Sequence, residues 1–199
     1  MLTDRSRWNQ KYAHGAEAGL GPSSLLVEYC ALAPGPLALD LAAGLGRNSE
    51  FLASQGFQVL ALDISDTAVR QLKNLGQAGI QPVQLDLDNF RPPGESFDLI
   101  LNCKFLDRRL CPYLQEALSP GGVLIFESSL ESSLPGVEQP SNRDFLLRPQ
   151  ELLHLFLDLH IIYYQEALLL DQQTGQQSSL ARLAGLRAST SNPALETES

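Results

Sequence analysis

Cysteine is scarce in this 199-residue chain, and bases are outnumbered by acids. The three cysteines, Cys30, Cys103 and Cys111, are odd in number and form no Cys-x-x-Cys pair. Their spacing offers neither a disulfide framework nor a metal site, and it fits reduced thiols in a cytoplasmic protein. No apolar run approaches the length of a membrane span, and the segment from Met1 to Trp8 has no apolar stretch long enough for a signal peptide. Lys and Arg number 14 against 23 Asp and Glu, a net charge of −9. Binding to nucleic acid or an anionic membrane needs cations on the contacting face, so this balance argues against both, and solubility is the simplest reading of the charge. There are no internal repeats and no evident catalytic dyad. With 44% hydrophobic and 19% charged residues, the chain reads as one globular domain over residues 1–187, followed by a polar, disordered tail over 188–199.

What is present is concentrated in residues 37–63. An apolar run ends in an acid, Asp40, and a small-residue turn follows through Ala42, Gly44 and Gly46. A helical pattern beginning at Arg47 then leads to a second apolar run, which ends in Asp63. This is the opening β-α-β of a parallel sheet, and such sheets bind ligands beyond the carboxyl ends of their strands. The glycines let the backbone turn sharply and admit a ligand close to it, and the helix start offers free N–H groups. A carboxylate at position 63 can accept both hydroxyl protons of a ribose. Asp40 is the less usual feature: an acid before such a turn would repel a diphosphate and suits a ligand carrying positive charge.

The arrangement Asp40-x-Ala42-x-Gly44-x-Gly46, with Arg47, Asn48 and Asp63 behind it, resembles the acid-x-Gly-x-Gly-x-Gly loop of class I S-adenosylmethionine-dependent methyltransferases. It is most similar to the small tellurite-resistance and thiopurine branches. Ala42 stands where that family has its first glycine, which a negative φ would tolerate. The resemblance implies an α/β Rossmann-like three-layer sandwich with a seven-stranded, mostly parallel sheet and an antiparallel C-terminal hairpin. It also implies S-adenosylmethionine as cofactor, with S-adenosylhomocysteine as product. In the same branches a Trp-x-x-x-Tyr opening, here Trp8 and Tyr12, belongs to an N-terminal helical lid, here residues 1–35. Trp8 and Tyr12 equally suit a helix anchored to the core, since they share one helical face, and the two roles are compatible.

Further along, Pro34 to Pro36 turns into strand one, residues 37–41, and Gln58 to Leu62 is strand two. Ser65 caps a helix whose buried stripe is Val69, Leu72 and Leu75 and which ends by Gly76 and Gly79. Strand three, 81–85, ends in Asp86-Leu87-Asp88. The resemblance assigns an adenine contact to Asp86, with Leu87 flanking the base and Asp88 as rival; Ile64 follows the ribose acid. Phe97 to Asn102 is strand four, with Asp98 fixing the strand and Asn102 at the cleft. A helix to Leu118 breaks at Ser119 to Gly122 before strand five, Val123 to Glu127. Residues 128–144, rich in Ser, Pro and Gly, form a loop placed to cover a substrate. The strands from His160 and from Ser179 flank a turn over 171–175, a hairpin signal.

Methyl transfer from a sulfonium is an in-line displacement dominated by positioning, so no catalytic base is required or assigned. Asn102, Lys104, Arg108 and Arg143 are candidates for orienting the acceptor. Arg143 fits pairing with an acid better than clamping an anion, and His14 and His154 read as solvated and structural. The chain is expected to act on a small molecule such as a thiol or metalloid anion, without metal, as monomer or homodimer. Two other functions compete: a non-catalytic S-adenosylmethionine-binding protein and a nicotinamide-dependent oxidoreductase. Asp40 and the terminal hairpin count against the second.

Overall fold

The computed structural model describes residues 2–15, 20–170 and 177–189. The expected turn at 171–175, Gly19 and most of the C-terminal tail lie outside the described residues. Elements alternate as the hydrophobic periods dictate. Helices α1 (Leu2–Ala13) and α2 (Ser24–Tyr29) precede strand β1 (Leu37–Leu41). Then come α3 (Arg47–Ser54), β2 (Gln58–Asp63), α4 (Asp66–Leu75), β3 (Ile80–Gln84), β4 (Phe97–Cys103), α5 (Cys111–Ala117) and β5 (Leu118–Ser129). The short β6 (Val137–Glu138), α6 (Glu151–Leu155), β7 (His160–Leu170) and β8 (Gln177–Leu186) complete the order.

The strands form one sheet in the order β3-β2-β1-β4-β5-β8, with β7 and β6 both paired to β8. The first five are parallel, and β8 runs antiparallel between β5 and β7. Seven strands match the expectation; the eighth, β6, is a two-residue addition from the predicted loop, pairing with Gln177 and Ser178 beyond the point where β5 stops. Pairing in β5 also starts earlier than expected. Leu118 pairs with Phe97, and the register then slips before Val123 pairs with Leu99. Gly121, at φ +79°, and Gly122, where a Cβ would meet the Ser119 carbonyl at 2.8 Å, absorb that slip.

Period two along each strand sends alternate residues to opposite faces. Leu39, Leu41, Ile100, Leu124 and Phe126 pack with α5, α6 and Phe156. Ala38, Leu99, Leu101, Val123 and Ile125 pack with Leu25 and Leu26 of α2, Leu52 of α3 and Leu72 of α4. Most of these are fully buried, each contributing roughly 1.5–3 kcal/mol of hydrophobic stabilisation for the larger side chains. Asp98 fixes strand position as expected, accepting from the Leu37 N–H at 3.0 Å and the Ser119 hydroxyl at 2.8 Å.

The chain leaves β1 for β2 and β3 on one side, then crosses back to β4 on the other. The crevice between the carboxyl ends of β1 and β4 is the switch point at which such sheets bind ligands. Its floor depends on Gly46, which has φ +90° and lies where a Cβ would be 2.1 Å from Leu72 Cδ1. Gly46→Ala is expected to cost about 2–4 kcal/mol, from left-handed strain plus overpacking. An unchanged urea midpoint would contradict this geometry.

Candidate functional site

Asp40 and Asp63 end β1 and β2 at the switch point, and both are buried. Asp63 is a brace for the turn between them. Its Oδ2 accepts the Gly44 N–H at 2.8 Å and its Oδ1 accepts the Ser65 N–H at 2.8 Å. The turn is also tied to β2 through the Ala43 N–H and the Leu62 carbonyl, 2.9 Å apart. Asp40 differs. The Ser49 hydroxyl donates to its Oδ2 at 2.6 Å, and Asp40 makes no ion pair among the described residues. Burial pushes its carboxyl up to about 7, only partly offset by Ser49 and by Arg47 nearby. A buried acid with no ion-pair partner among the described residues, at the mouth of a glycine turn, is a place where a cationic group gains. The donor set therefore fits S-adenosylmethionine, whose sulfonium supplies an activated methyl group when bound.

Ala42 lacks the negative φ that would make alanine easily tolerated there: it sits at +51°, in the left-handed region. The turn needs that conformation because the next amides point to Leu62 and Asp63. An L-residue with a Cβ pays about 1–2 kcal/mol there. Ala42→Gly is expected to raise stability by up to about 1 kcal/mol after the extra unfolded-state entropy of glycine is subtracted. Thermal denaturation measures it, and a fall in Tm would refute the strain.

The other sequence candidates separate into those gathered at the crevice and those engaged elsewhere. Trp8 and Tyr12 stack at 5.6 Å between centroids, with Tyr12 buried. Their helix α1 stands on the start of α4. Arg5 Nε and Asn9 Nδ2 donate to Asp66 Oδ1 at 3.1 and 2.6 Å, and the Ser65 hydroxyl donates to Asn9 Oδ1 at 2.6 Å. The N-terminal segment thus lies beside Asp63 and Ile64, whose carbonyl accepts from Gln84 Nε2 at 3.3 Å. Asp86 caps a 3-10 turn, accepting the Asp88 N–H at 3.1 Å, while the Leu87 side chain is buried in the core. Any contact of Leu87 with a base is left to its backbone. Asp88 lies 3.4 Å from Arg109 Nη2.

Arg47 and Asn48 do more than cap their helix. Arg47 donates to the Gly21 carbonyl at 2.5 Å and to Cys103 Sγ at 3.3 Å, and Asn48 Oδ1 accepts the Ser23 N–H at 2.9 Å. Asn102 was expected to face the cleft. It is buried, and its Nδ2 donates to the Phe105 carbonyl at 2.7 Å, holding the turn after β4. Lys104 has φ +61° and donates its N–H to the Glu127 carbonyl at 2.8 Å. Arg108 is a clamp: it makes bonds of 2.5 and 3.0 Å to the Glu151 carboxylate and of 2.7 Å to the carbonyls of both Asp144 and Leu146. Four of its donors are thereby used to tie the segment after β4 to the end of the 131–146 loop. Arg143 is exposed and makes no ion pair among the described residues, so the expected acidic partner is not found. His154 is exposed and bonded to the Gln150 carbonyl at 2.8 Å.

Residues that sequence reasoning passed over complete the crevice. Glu127 lies two residues before the end of β5, buried, with Arg182 Nε donating to its Oε2 at 2.7 Å. Cys103 lies beside it, Sγ to Oε1 4.0 Å, and burial together with that carboxylate pushes the thiol up to about 12. Cys103 is therefore a protonated wall rather than a nucleophile at neutral pH. A signal for Glu127 existed: Val123 to Glu127 repeats the apolar-run-then-acid pattern of Asp40 and Asp63.

Comparison with known proteins agrees with this geometry. Residues 38–122 match the family model described as "Methyltransferase domain". The malonyl-[acyl-carrier protein] O-methyltransferase of Salmonella typhimurium is 32% identical over 108 residues, covering 51% of this chain and 42% of that protein. The ribosomal protein L11 methyltransferase of Syntrophotalea carbinolica is 37% identical over 111 residues, covering 53% and 36%. The chain thus spans less than half the length of either relative. Among solved structures, TehB from Haemophilus influenzae superimposes with a TM-score of 0.72 at 18% identity, over 90% of this chain and 67% of that one. Residues 38–122 thus carry the match to a methyltransferase domain, and the likeness to the solved structures shows a shared fold.

Proposed function

We propose that the protein transfers the methyl group of S-adenosylmethionine to a small-molecule acceptor by in-line displacement. The observation that carries this reading is the pair of buried carboxylates around the glycine turn, one bracing the turn and one with no ion-pair partner among the described residues. In this reading Asp63 receives the ribose hydroxyls, and Asp40 favours the cationic end. Gly44, Gly46 and the start of α3 admit the ligand, and Asp86 meets the adenine. Trp8 and Tyr12 cover it as part of the N-terminal segment. A thiol, a metalloid anion or a similar group is the acceptor, which needs little proton chemistry from the protein. The acidic charge speaks against a nucleic-acid substrate, and no helix among the described residues is long and apolar enough to cross a membrane. A cytoplasmic location and a monomer or homodimer are part of the same reading.

A second reading, a non-catalytic protein that binds S-adenosylmethionine, is favoured by one observation: Asn102 and Arg108, two of the four acceptor-orienting candidates, are committed to local bonds. Calorimetry with S-adenosylmethionine, S-adenosylhomocysteine and NAD, followed by methyl-transfer assays on thiols, halides and metalloid anions, separates the readings. Binding of the first two and transfer to one acceptor class supports the enzyme. Binding without transfer supports the second reading, and preference for NAD removes both.

A further inference from the structure

Cys103, Glu127 and Arg182 stand in one row across β4, β5 and β8, because Cys103 registers with Glu127 and Glu127 with Arg182. The ion pair within that row is 6% and 9% exposed. Taking two charges out of water costs several kcal/mol per ion, and their attraction offsets it only when the remaining donors and acceptors are also filled. Here one on each partner is filled from outside the sheet. The Ser23 hydroxyl donates to Glu127 Oε1, and Arg182 Nη2 donates to Ser24 Oγ at 2.8 Å. The same short segment is gripped from the opposite side by α3, through Asn48 Oδ1 on the Ser23 N–H and Arg47 Nη1 on the Gly21 carbonyl. Residues 21–24 therefore bridge the start of the glycine-turn helix and the carboxyl ends of β5 and β8.

We propose that the Glu127–Arg182 pair is a positioning device for the cofactor turn. It anchors the 21–24 strap, and the strap holds Arg47 and Asn48 over the carboxyl ends of β1 and β4. Neither Glu127 nor Arg182 reaches the turn itself; both act through Ser23 and Ser24. The location of the ligand rests on the proposed function, whereas the anchoring of the strap does not.

A purely structural pair makes a different prediction. Replacing a buried ion pair with apolar residues of similar size is often neutral or stabilising. In Glu127→Met/Arg182→Met, Tm is expected to stay within a few degrees. Amide exchange over residues 21–27 should rise about tenfold or more as the strap frees. The dissociation constant for S-adenosylhomocysteine should rise about fivefold or more through the coupling. Unchanged exchange over that segment would overturn the proposal, and so would faster exchange with unaltered ligand affinity in a protein that binds. If wild-type protein fails to bind S-adenosylhomocysteine, the proposed function falls, and the exchange measurement still decides whether the pair anchors the strap. Should the double variant not fold, Ser24→Ala and Ser24→Thr serve instead, because Ser24 is not the helix cap. Alanine should loosen the segment and threonine, which keeps the hydroxyl, should restore it; identical behaviour of the two would refute the role of the Arg182 contact.

Discussion

Asp63→Ala is expected to weaken S-adenosylmethionine binding by roughly a hundredfold and to destabilise the free protein as well. The carboxylate is proposed to accept two ribose hydroxyls, and hydrogen bonds to a charged group contribute about 1.5–3 kcal/mol each. The structure adds a second loss. The Gly44 and Ser65 N–H groups both donate to Asp63, so alanine leaves two amides of the binding turn without their acceptor, at about 1–3 kcal/mol each where they stay dry. The affinity loss therefore combines a missing contact with a turn that no longer holds its shape. Asp63→Asn separates the two: an amide oxygen still accepts from one N–H, while its NH2 faces the other. Calorimetry and a thermal scan on wild type and both variants are sufficient. Wild-type affinity in the alanine variant would remove Asp63 from the ribose role, and with it the orientation of the nucleoside.

The second large effect is a pH dependence set by Asp40. Its carboxyl is raised from 3.8 to about 7, chiefly by burial. A raised folded-state pKa on an acid means that the folded chain binds the proton more tightly than the unfolded one. The contribution to stability is complete below about pH 4 and is lost as pH rises through about 7. At 1.36 kcal/mol per unit it amounts to at most about 4 kcal/mol. Binding of a cation reverses the preference, since the ionised carboxylate is then favoured. S-adenosylmethionine affinity is accordingly expected to rise with pH up to about 7, approaching tenfold per unit well below it, with release of nearly one proton. Calorimetry at pH 5.5 to 7 in buffers of differing ionisation enthalpy counts that proton. Asp40→Asn should flatten the profile. Affinity independent of pH in wild type, or proton uptake on binding, would show that Asp40 does not face the cationic end.

Much of this arrangement was legible in the chain. Apolar runs of three and four residues, Leu37 to Leu39 and Val59 to Leu62, closed by Asp40 and Asp63 with glycines between, define strand, turn and strand by local rules. Ser65 and Gly76 mark the ends of α4 where the structure has them, Ser65 accepting from the Ala68 N–H at 3.1 Å and Gly76 at φ +61°. The turn at Ala42 was read by composition, and composition does not give the sign of φ, which is set by the amides that follow. The sequence offers Arg108 as a candidate for orienting an acceptor, but its partner Glu151 lies 43 residues on. The Glu127–Arg182 pair spans 55 residues and exists only because β8 inserts antiparallel beside β5. Contacts created by strand order are invisible to any window that reads neighbours. The apolar-run-then-acid pattern at Glu127 offered a hint of one partner, and a single arginine inside the apolar run Leu180 to Leu186 offered the other.

The segment after β5 leaves and re-enters the fold at one place. Leu130 and Leu147 form a bridge, the Leu147 N–H donates to the Ser129 carbonyl at 2.8 Å, and the Glu131 N–H donates to the Leu147 carbonyl at 2.9 Å. A loop whose two ends are already stitched together can change length without pulling on the sheet, and doubling it costs only about 0.6 kcal/mol in closure entropy. Within residues 131–146, the stretches outside β6 and outside the Arg108 contacts at Asp144 and Leu146 are thus the exchangeable ones: recombining them with longer or shorter inserts is expected to leave the strands beneath in register.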